Sequence, residues 1–296
     1  MKKNIAVIGS GVVGQATGKG LIDIGHDIVF CDINPRTLTK LESKGYQTCD
    51  PHSLGDTEKD YYFLTVSTPT SDNKIELNFL ESAVANLGSV IKNTNRYCLV
   101  IVRSTVPPGT TEDNLIPILE KYSGKKAGKD FGVCMNPEYL REISNESDFK
   151  NPWIITIGEL DNKSGEMLEK IYSHYKCPIH RVSLKEAEMQ KYVHNLFNAC
   201  KISFFNEMRT ICKMTGINPD NVFKLVRKSA EAMWSPEYGT KNLGPYGGSC
   251  LPKDTTALLS WVKENLNMKM PLLQATIEVN EGLKDNCKTK TRHSGK

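Results

Sequence analysis

Short apolar runs alternate with stretches of helical spacing through the N-terminal part of the chain. The apolar runs are rich in β-branched residues and predict buried strands at 4–8, 27–31, 61–66, 98–102, 131–135 and 153–157. Apolar residues at helical spacing lie between them, at 12–24, 35–44, 78–92, 110–122 and 163–175. Strands that alternate with helices in this way predict an α/β fold with a doubly wound parallel sheet.

The pattern changes after residue 182. Between residues 184 and 215 there is neither glycine nor proline, which predicts one helix of roughly 45 Å at about 1.5 Å per residue. Apolar residues wrap much of its circumference, so we expect this helix to be buried inside a domain or in a dimer interface. Shorter helices follow, broken by a glycine- and proline-rich loop at 235–252. We therefore predict an α/β domain at 1–182 and an all-helical domain with one long central helix at 183–283.

The composition is that of an ordinary globular protein, 39% hydrophobic and 24% charged. No apolar stretch approaches the roughly 20 residues that span a bilayer, so no membrane partner is expected. The net charge is +4, and five of the basic residues lie in the last 13 positions. Because the rest of the chain is close to neutral, a nucleic-acid partner is not expected either. Residues 284–296 are predicted to form a basic, disordered tail.

Nine cysteines are scattered along the chain, odd in number and without a C-x-x-C pair. This spacing is typical of reduced, mostly buried thiols, and we expect a cytoplasmic protein. The six histidines are equally dispersed, so no metal site is predicted.

A dinucleotide site is predicted by the glycines Gly9, Gly11 and Gly14, which follow a strand and open a helix. Gly9 allows the tight turn, Gly11 lets the backbone approach a pyrophosphate, and Gly14 packs the helix against the sheet. Asp32 ends the second strand, where a carboxylate bonds the ribose hydroxyls and repels a 2′-phosphate. The pattern therefore favours NAD bound to a Rossmann-type sheet; a glycine turn without a ligand is the alternative.

A reaction site is predicted at Cys250, which stands just before an apolar helical run at 257–262. A cysteine at the start of a helix lies at the positive end of the helix dipole, which favours the nucleophilic thiolate. Lys253 adds positive charge, and Asp254 shares the helical face of Cys250 as a candidate base. The alternative is that Cys250 is one more buried thiol.

The long helix carries Lys191 and Asn195 four residues apart on one face, with Asn206 nearby on the same side. A lysine and a carboxamide together can stabilise an oxyanion. A solvated polar strip is the alternative.

The chain resembles the UDP-glucose/GDP-mannose dehydrogenase family in seven motifs. They are GSGVVG at 9–14, STPT at 67–70, RSTVPPGTTE at 103–112, NPEYLRE at 136–142, AEMQKYVHN at 187–195, KISFFNE at 201–207 and GGSCLPKD at 247–254. The resemblance implies a four-electron oxidation of a sugar C6 alcohol to a uronate, with two NAD used in succession. It implies that Cys250 holds the intermediate aldehyde as a thiohemiacetal and then as a thioester.

The same resemblance implies roles for other residues. Lys191 and Asn195 would steady the oxyanion, Asp254 and Thr105 would manage the proton and water, and Glu138 would assist thioester hydrolysis. The implied cofactor residues are Gly9, Gly11, Val12, Val13, Gly14, Asp32, Thr37, Thr68, Pro69, Thr105, Glu142 and Lys253. The implied sugar-nucleotide residues are Glu138, Tyr139, Leu140, Arg141, Lys191, Asn195, Gly239, Thr240, Lys241, Asn242, Leu243 and Gly247.

The chain also departs from the family. The family has a further Rossmann-like domain after the long helix, whereas this sequence stops at Lys296, so a separate chain is one possible source of that domain. Trp234 stands about where many members have an arginine that reaches the neighbouring subunit. Three hypotheses remain. The first is a nucleotide-sugar 6-dehydrogenase that acts on a UDP-glucose-like substrate. The second is an NAD-binding dimeric partner or inactive homologue without turnover, and the third is a two-electron dehydrogenase of the β-hydroxyacid type.

Overall fold

The structure, a computed structural model, describes residues 2–56, 58–71, 74–141, 144–239, 244–248 and 250–293, with side chains described as far as residue 284. The chain divides into two compact units, Met1–His194 and Asn195–Lys296. The boundary between them falls inside the long helix, beyond the boundary after residue 182 that the sequence pattern indicates.

A mostly parallel sheet forms the first unit. Its strands are β1 Asn4–Ile8, β2 Asp27–Cys31, β3 Gln47–Cys49, β4 Tyr61–Leu64, β7 Leu99–Val102, β8 Gly132–Met135, β9 Ile155–Glu159 and β10 Ile179–Ser183, and a small hairpin joins β5 Thr70–Ser71 to β6 Lys74–Ile75. The order in the sheet is β3-β2-β1-β4-β7-β8-β9-β10, and only the β8–β9 pairing is antiparallel. The first six positions have the order of a dinucleotide-binding Rossmann sheet.

Helices cover both faces of this sheet. They are α1 Val12–Asp23, α2 Pro35–Glu42, α3 Asn78–Lys92, α4 Ile116–Ser123, α5 Asn145–Lys150 and α6 Asn162–Tyr172. One apolar cluster joins the sheet to α3 and α4 through Leu87 and Leu119, and a second joins it to α1 and α6 through Leu21 and Leu168. Because both faces of the sheet are buried, its central strands have continuous apolar sequences. The predicted doubly wound fold is confirmed.

The second unit is helical in its described residues. The long helix α7, Leu184–Met214, enters it and is followed by α8 Pro219–Ser229, α9 Glu231–Trp234, α10 Leu251–Leu266 and α11 Pro271–His293. Its core is small and is centred on Ile211, Val262 and Met270. No helix within the described ranges is both long enough and apolar enough to cross a membrane.

Several elements differ from the sequence pattern. The strand predicted at 153–157 begins at Ile155, after Pro152, and Trp153 lies outside it. The predicted helix at 110–122 opens with a π turn, Thr111–Leu115. Helix α11 continues to His293, so the backbone is helical where a disordered tail is predicted from residue 284.

Candidate functional site

Two glycines where β1 meets α1, Gly9 and Gly14, have no room for a side chain. Gly9 has φ +93°, and a Cβ there would lie 2.8 Å from the backbone of Thr65. A Cβ on Gly14 would overlap the carbonyl oxygen of Gly9. The Thr65 hydroxyl donates to that same carbonyl at 2.5 Å. The first turn of α1 is therefore pressed against the end of β1.

Asp32 ties the glycine loop to the end of β2. Its Oδ2 accepts from the backbone N–H of Ser10 at 2.6 Å, and its Oδ1 accepts from that of Asn34 at 2.8 Å. An ionised carboxylate offers about four lone-pair positions, so two remain for ribose hydroxyls. The partly buried Asp32 thus faces the place where the sequence motif predicts an adenosine ribose.

The loop and helix fit a dinucleotide pyrophosphate. Gly11 is the N-cap of α1 and supplies no side chain to cap the first amides, and a Cβ on Gly11 would meet no atom within 4 Å. Open space beside uncapped amides at a helix N-terminus is what a phosphate occupies. Val12 is exposed, Val13 is half-buried, and Thr37 lies in the first turn of α2.

Thr68 and Thr105 lie just after β4 and β7, two neighbouring parallel strands. The Thr68 hydroxyl donates to the carbonyl oxygen of Thr105 at 2.8 Å, which joins the two strand ends. Pro69 is exposed beside them. These residues lie at the same carboxyl edge of the sheet as Gly9 and Asp32, where doubly wound sheets bind ligands.

A buried ion pair joins the segment after β8 to the long helix. Lys191 Nζ lies 2.9 Å from Glu138 Oε1 and also donates to the Glu138 carbonyl oxygen. Glu138 Oε2 accepts from the backbone N–H of Leu140 at 2.6 Å. The side chains of Lys191 and Glu138 are only 6% and 14% exposed. Two of the three ammonium protons are therefore directed at Glu138, and one remains for another acceptor.

Tyr139 is buried beside this pair. Its hydroxyl hydrogen-bonds to the Thr156 hydroxyl at 2.9 Å and donates to Gln190 Oε1, and its ring contacts that of His194. Burial is the main cause that raises the Tyr139 pKa, and burial followed by the charge of Lys191 lowers the His194 pKa. Both groups are therefore neutral near pH 7, so neither of them competes with Glu138 as a charged partner of Lys191.

Arg141 is held by Asp148 and not left free for a ligand. Its Nη2 and Nε lie 2.6 and 3.1 Å from the two carboxylate oxygens of Asp148, and its backbone N–H donates to Oδ2 at 2.9 Å. These hydrogen bonds, led by those of the Arg141 side chain, hold the Asp148 pKa well below its usual range. The guanidinium also lies over the Trp153 ring at 5.9 Å.

Arg103 contacts Asn136, two residues before Glu138, and was not among the predicted site residues. It is buried, donates to Asn136 Oδ1 and stacks over Phe149 at 5.4 Å, and no carboxylate pairs with it among the described residues. Asn136 directly follows β8 and begins the segment that carries Glu138. The sequence could have indicated Arg103 because a charged residue directly follows the buried strand Leu99–Val102. A buried arginine is costly unless it is hydrogen-bonded or paired.

Cys250 is the N-cap of α10 in the second unit, and its side chain is exposed. Its carbonyl oxygen accepts from the backbone N–H of Asp254 at 2.8 Å, which places Cys250 and Asp254 one turn apart. Lys253 Nζ pairs with Asp254 Oδ1 at 2.5 Å, with both side chains exposed. The reading of Cys250 as a buried thiol is therefore wrong.

The other predicted residues are distributed as follows. Asn195 is exposed on α7, and Gly239 and Gly247 are exposed in the loop before α10. Thr240, Lys241, Asn242 and Leu243, predicted to hold a sugar nucleotide, and Glu142, predicted to lie near the cofactor, fall outside the described residues. Within the described ranges no cluster of three or more histidine, cysteine or acidic side chains suited to a metal is found.

A Rossmann sheet with this glycine loop, an acidic ribose residue and a long helix leading into a helical unit defines an NAD-dependent dehydrogenase. The chain belongs to the UDP-glucose/GDP-mannose dehydrogenase family. The model of the family's NAD binding domain matches residues 53–176, and that of its central domain matches residues 185–282. Residues 4–76 also match the "NADP oxidoreductase coenzyme F420-dependent" family, but Asp32 disfavours a 2′-phosphate.

Relatives support the same assignment. GDP-mannose 6-dehydrogenase of Pseudomonas putida is 34% identical, over 96% of this chain and 69% of its own length. UDP-glucose 6-dehydrogenase AglM of Haloferax volcanii is 32% identical, over 94% and 69%. The crystal structure of a ternary complex of GDP-mannose dehydrogenase from Pseudomonas aeruginosa superposes with a TM-score of 0.88 at 32% identity, over 95% of this chain and 69% of that one. The protein is an NAD-dependent dehydrogenase that acts on a CH–OH group.

Proposed function

We propose that this chain is a nucleotide-sugar 6-dehydrogenase, which oxidises the C6 alcohol of a nucleoside-diphosphate hexose to a uronate. The observation that carries the proposal is the exposed Cys250 at the N-cap of α10, in a chain that belongs to this family. A one-step alcohol dehydrogenase needs no thiol, whereas a four-electron oxidation needs a covalent anchor for the aldehyde. NAD, when bound, accepts the hydride of each oxidation.

In the proposed reaction the Cys250 sulfur adds to the C6 aldehyde left by the first oxidation. A thiohemiacetal forms, and its oxidation gives a thioester on the same sulfur. Water then attacks the thioester carbon, which releases the uronate and restores the thiol. Asp254, one helical turn from Cys250, and Thr105 are proposed to take up and relay the protons.

Lys191 and Glu138 are proposed to act as a unit in these steps. The remaining ammonium proton of Lys191 would stabilise the oxyanion at C6, with Asn195 as a second donor. Glu138 keeps the ammonium oriented through its carbonyl and Oε1. The same carboxylate would activate the water that attacks the thioester. Leu140 and Arg141, which follow Glu138, are proposed to contribute to sugar binding.

The experiment that tests this function is a panel of sugar nucleotides incubated with NAD and the purified chain. GDP-mannose and UDP-glucose come first, because relatives and structural neighbours carry those substrate names. We expect two NADH per sugar nucleotide consumed and a uronate product. One NADH per substrate would indicate a two-electron enzyme instead. NAD binding with no NADH from any sugar nucleotide would indicate a partner without turnover.

Cys250→Ser isolates the covalent step. We expect this variant to bind NAD as tightly as the parent chain but to form no uronate. Cys200→Ser is the matched control, because Cys200 is another exposed thiol of the second unit. If uronate forms at an undiminished rate in Cys250→Ser, the thioester route is wrong.

A homodimer through α7 is also proposed. Large apolar side chains on this helix are between 43% and 62% exposed, namely Met189, Val193, Leu196, Phe197, Ile202, Phe204 and Met214. This much exposed apolar surface along one helix is typical of an interaction site. The mass in solution tests it: a dimer is expected for the parent chain and a monomer for Phe197→Glu. A parent chain that is monomeric at micromolar concentration contradicts the proposal.

A further inference from the structure

Two cysteines face each other at the edge of the sheet, apart from the proposed reaction site. In the parallel pairing of β2 with β3, Cys31 is the direct register partner of Cys49. Their thiol groups lie within hydrogen-bonding distance of each other. Neighbouring strands lie about 4.8 Å apart, which is inside the range of Cα separations that a disulfide bridges.

The pair differs in exposure. Cys31 is 1% exposed, whereas Cys49 is half-buried on the edge strand and lines a surface groove of about 660 Å³. The hydrogen bond with Cys31, helped by the charge of Lys59, lowers the Cys49 pKa, and the same bond raises the Cys31 pKa. Cys49 is therefore the thiol that an oxidant reaches first, and Cys31 is placed to resolve it.

The pair is also connected to the NAD site. The Cys31 carbonyl oxygen accepts from Gly9 N–H at 2.8 Å and from the Ser10 hydroxyl at 3.3 Å. The next residue, Asp32, donates its backbone N–H to the Cys49 carbonyl at 3.4 Å. The end of β2 thus anchors both the glycine loop and the ribose carboxylate, and any displacement of Cys31 is transmitted to both.

We propose that Cys31 and Cys49 form a reversible disulfide when the protein meets a hydroperoxide, and that this disulfide weakens NAD binding. The Cys49 thiolate attacks one peroxide oxygen, which breaks the O–O bond, leaves a sulfenic acid on Cys49 and releases the other oxygen as hydroxide, which is protonated to water. The Cys31 sulfur then displaces its hydroxyl group as water. Two thiols and one hydrogen peroxide give one disulfide and two water molecules.

A disulfide needs its two Cβ atoms closer than directly paired strands normally place them, so the bond pulls the ends of β2 and β3 together. That strain makes it easily reduced, as a regulatory bond must be. It also draws the Cys31 carbonyl away from the glycine loop.

Tryptic mass spectrometry without a reductant tests the bond in the purified chain treated with hydrogen peroxide. Cleavage after Arg36, Lys40 and Lys44 separates peptides 20–36 and 45–59, each of which contains one cysteine. We expect a linked species two hydrogens lighter than the sum of the two peptides. Titration with NAD should then show about tenfold weaker binding, the change that about 1.4 kcal/mol produces, and dithiothreitol should restore it.

Cys49→Ser should lose the response of NAD binding to peroxide, and Cys49→Ala serves as a second variant. Cys177→Ser, which removes another half-buried thiol of the same unit, should keep it. Two results overturn the proposal: peroxide that oxidises Cys49 without linking the peptides, or linked protein whose NAD affinity is unchanged. Cys49→Ser retains the exposed Cys250, so an effect of Cys250 oxidation on NAD binding would persist in that variant and is thereby distinguished.

Discussion

Lys191 Nζ lies 2.9 Å from Glu138 Oε1, and both side chains are largely buried although the residues are 53 positions apart in sequence. Neither charge can be solvated fully at this depth, so each depends on the other. The pair therefore fixes the geometry of the proposed oxyanion site and contributes to folding at the same time.

Lys191→Met or Glu138→Gln alone should lower the free energy of unfolding by about 3 kcal/mol, because each leaves an unpaired buried group. The double variant should lose clearly less than the sum of the two single losses. Urea unfolding at pH 7 measures all three. Lys126→Met is the control, because the Lys126–Glu120 pair is exposed on the lysine side and should contribute under about 1 kcal/mol. Additive losses in the double variant would show that the pair is not coupled.

Substitutions of Gly11, the N-cap of α1, and of Gly14, in the first turn of α1, should separate NAD binding from folding. Gly11→Ala adds a Cβ to open space, so stability should change by no more than about 1 kcal/mol while NAD binding weakens strongly. Gly14→Ala pushes its Cβ into the Gly9 carbonyl and should cost about 1–3 kcal/mol of stability as well. Thermal unfolding and NAD titration of both variants check this. Undiminished NAD affinity in Gly11→Ala would place the pyrophosphate elsewhere.

The sequence pattern correctly predicted the elements whose ends are marked by helix- or strand-terminating residues. β2 and α3 lie at 27–31 and 78–92 as predicted, because glycine, proline or polar residues mark their ends. The edge strands β3 and β10 were missed, since they are short or only partly buried and are defined by pairing with a neighbour. The sequence of such a strand shows little hydrophobic periodicity, because its conformation depends on pairing with the neighbouring strand.

The site was predictable where a motif is local in sequence, as at Gly9–Gly14. The Lys191–Glu138 pair and the Arg103–Asn136 bond join residues 53 and 33 positions apart, and spacing alone does not show which distant groups meet. That Arg141 is held by Asp148 was likewise visible only in the fold.

Arg103→Met should affect turnover more than stability. In this variant Asn136 Oδ1 still accepts a hydrogen bond from the Tyr172 hydroxyl at 2.7 Å. The substitution also removes a buried guanidinium, which has no carboxylate partner among the described residues. The free energy of unfolding should therefore change by less than about 1.5 kcal/mol. Loss of the Arg103 bond loosens the segment that carries Glu138, so kcat should fall about tenfold or more while KM for NAD stays constant. Unchanged kcat would show that Arg103 only fills space.

Asp148→Asn should give a pH-dependent loss of stability. The folded pKa of Asp148 is depressed, mainly by the Arg141 side chain, below the unfolded value of about 3.9. Its contribution is therefore fully present above the unfolded pKa and is lost as the pH falls through the folded pKa. We expect the variant to be about 2 kcal/mol less stable at pH 5 to 8, with the difference shrinking below about pH 4. Urea midpoints at several pH values measure this difference. Asp23→Asn is the control: it breaks the exposed Asp23–Lys150 pair and should lower the free energy of unfolding by less than about 1 kcal/mol. A constant difference down to pH 3 would mean that Asp148 contributes through packing and not through its charge.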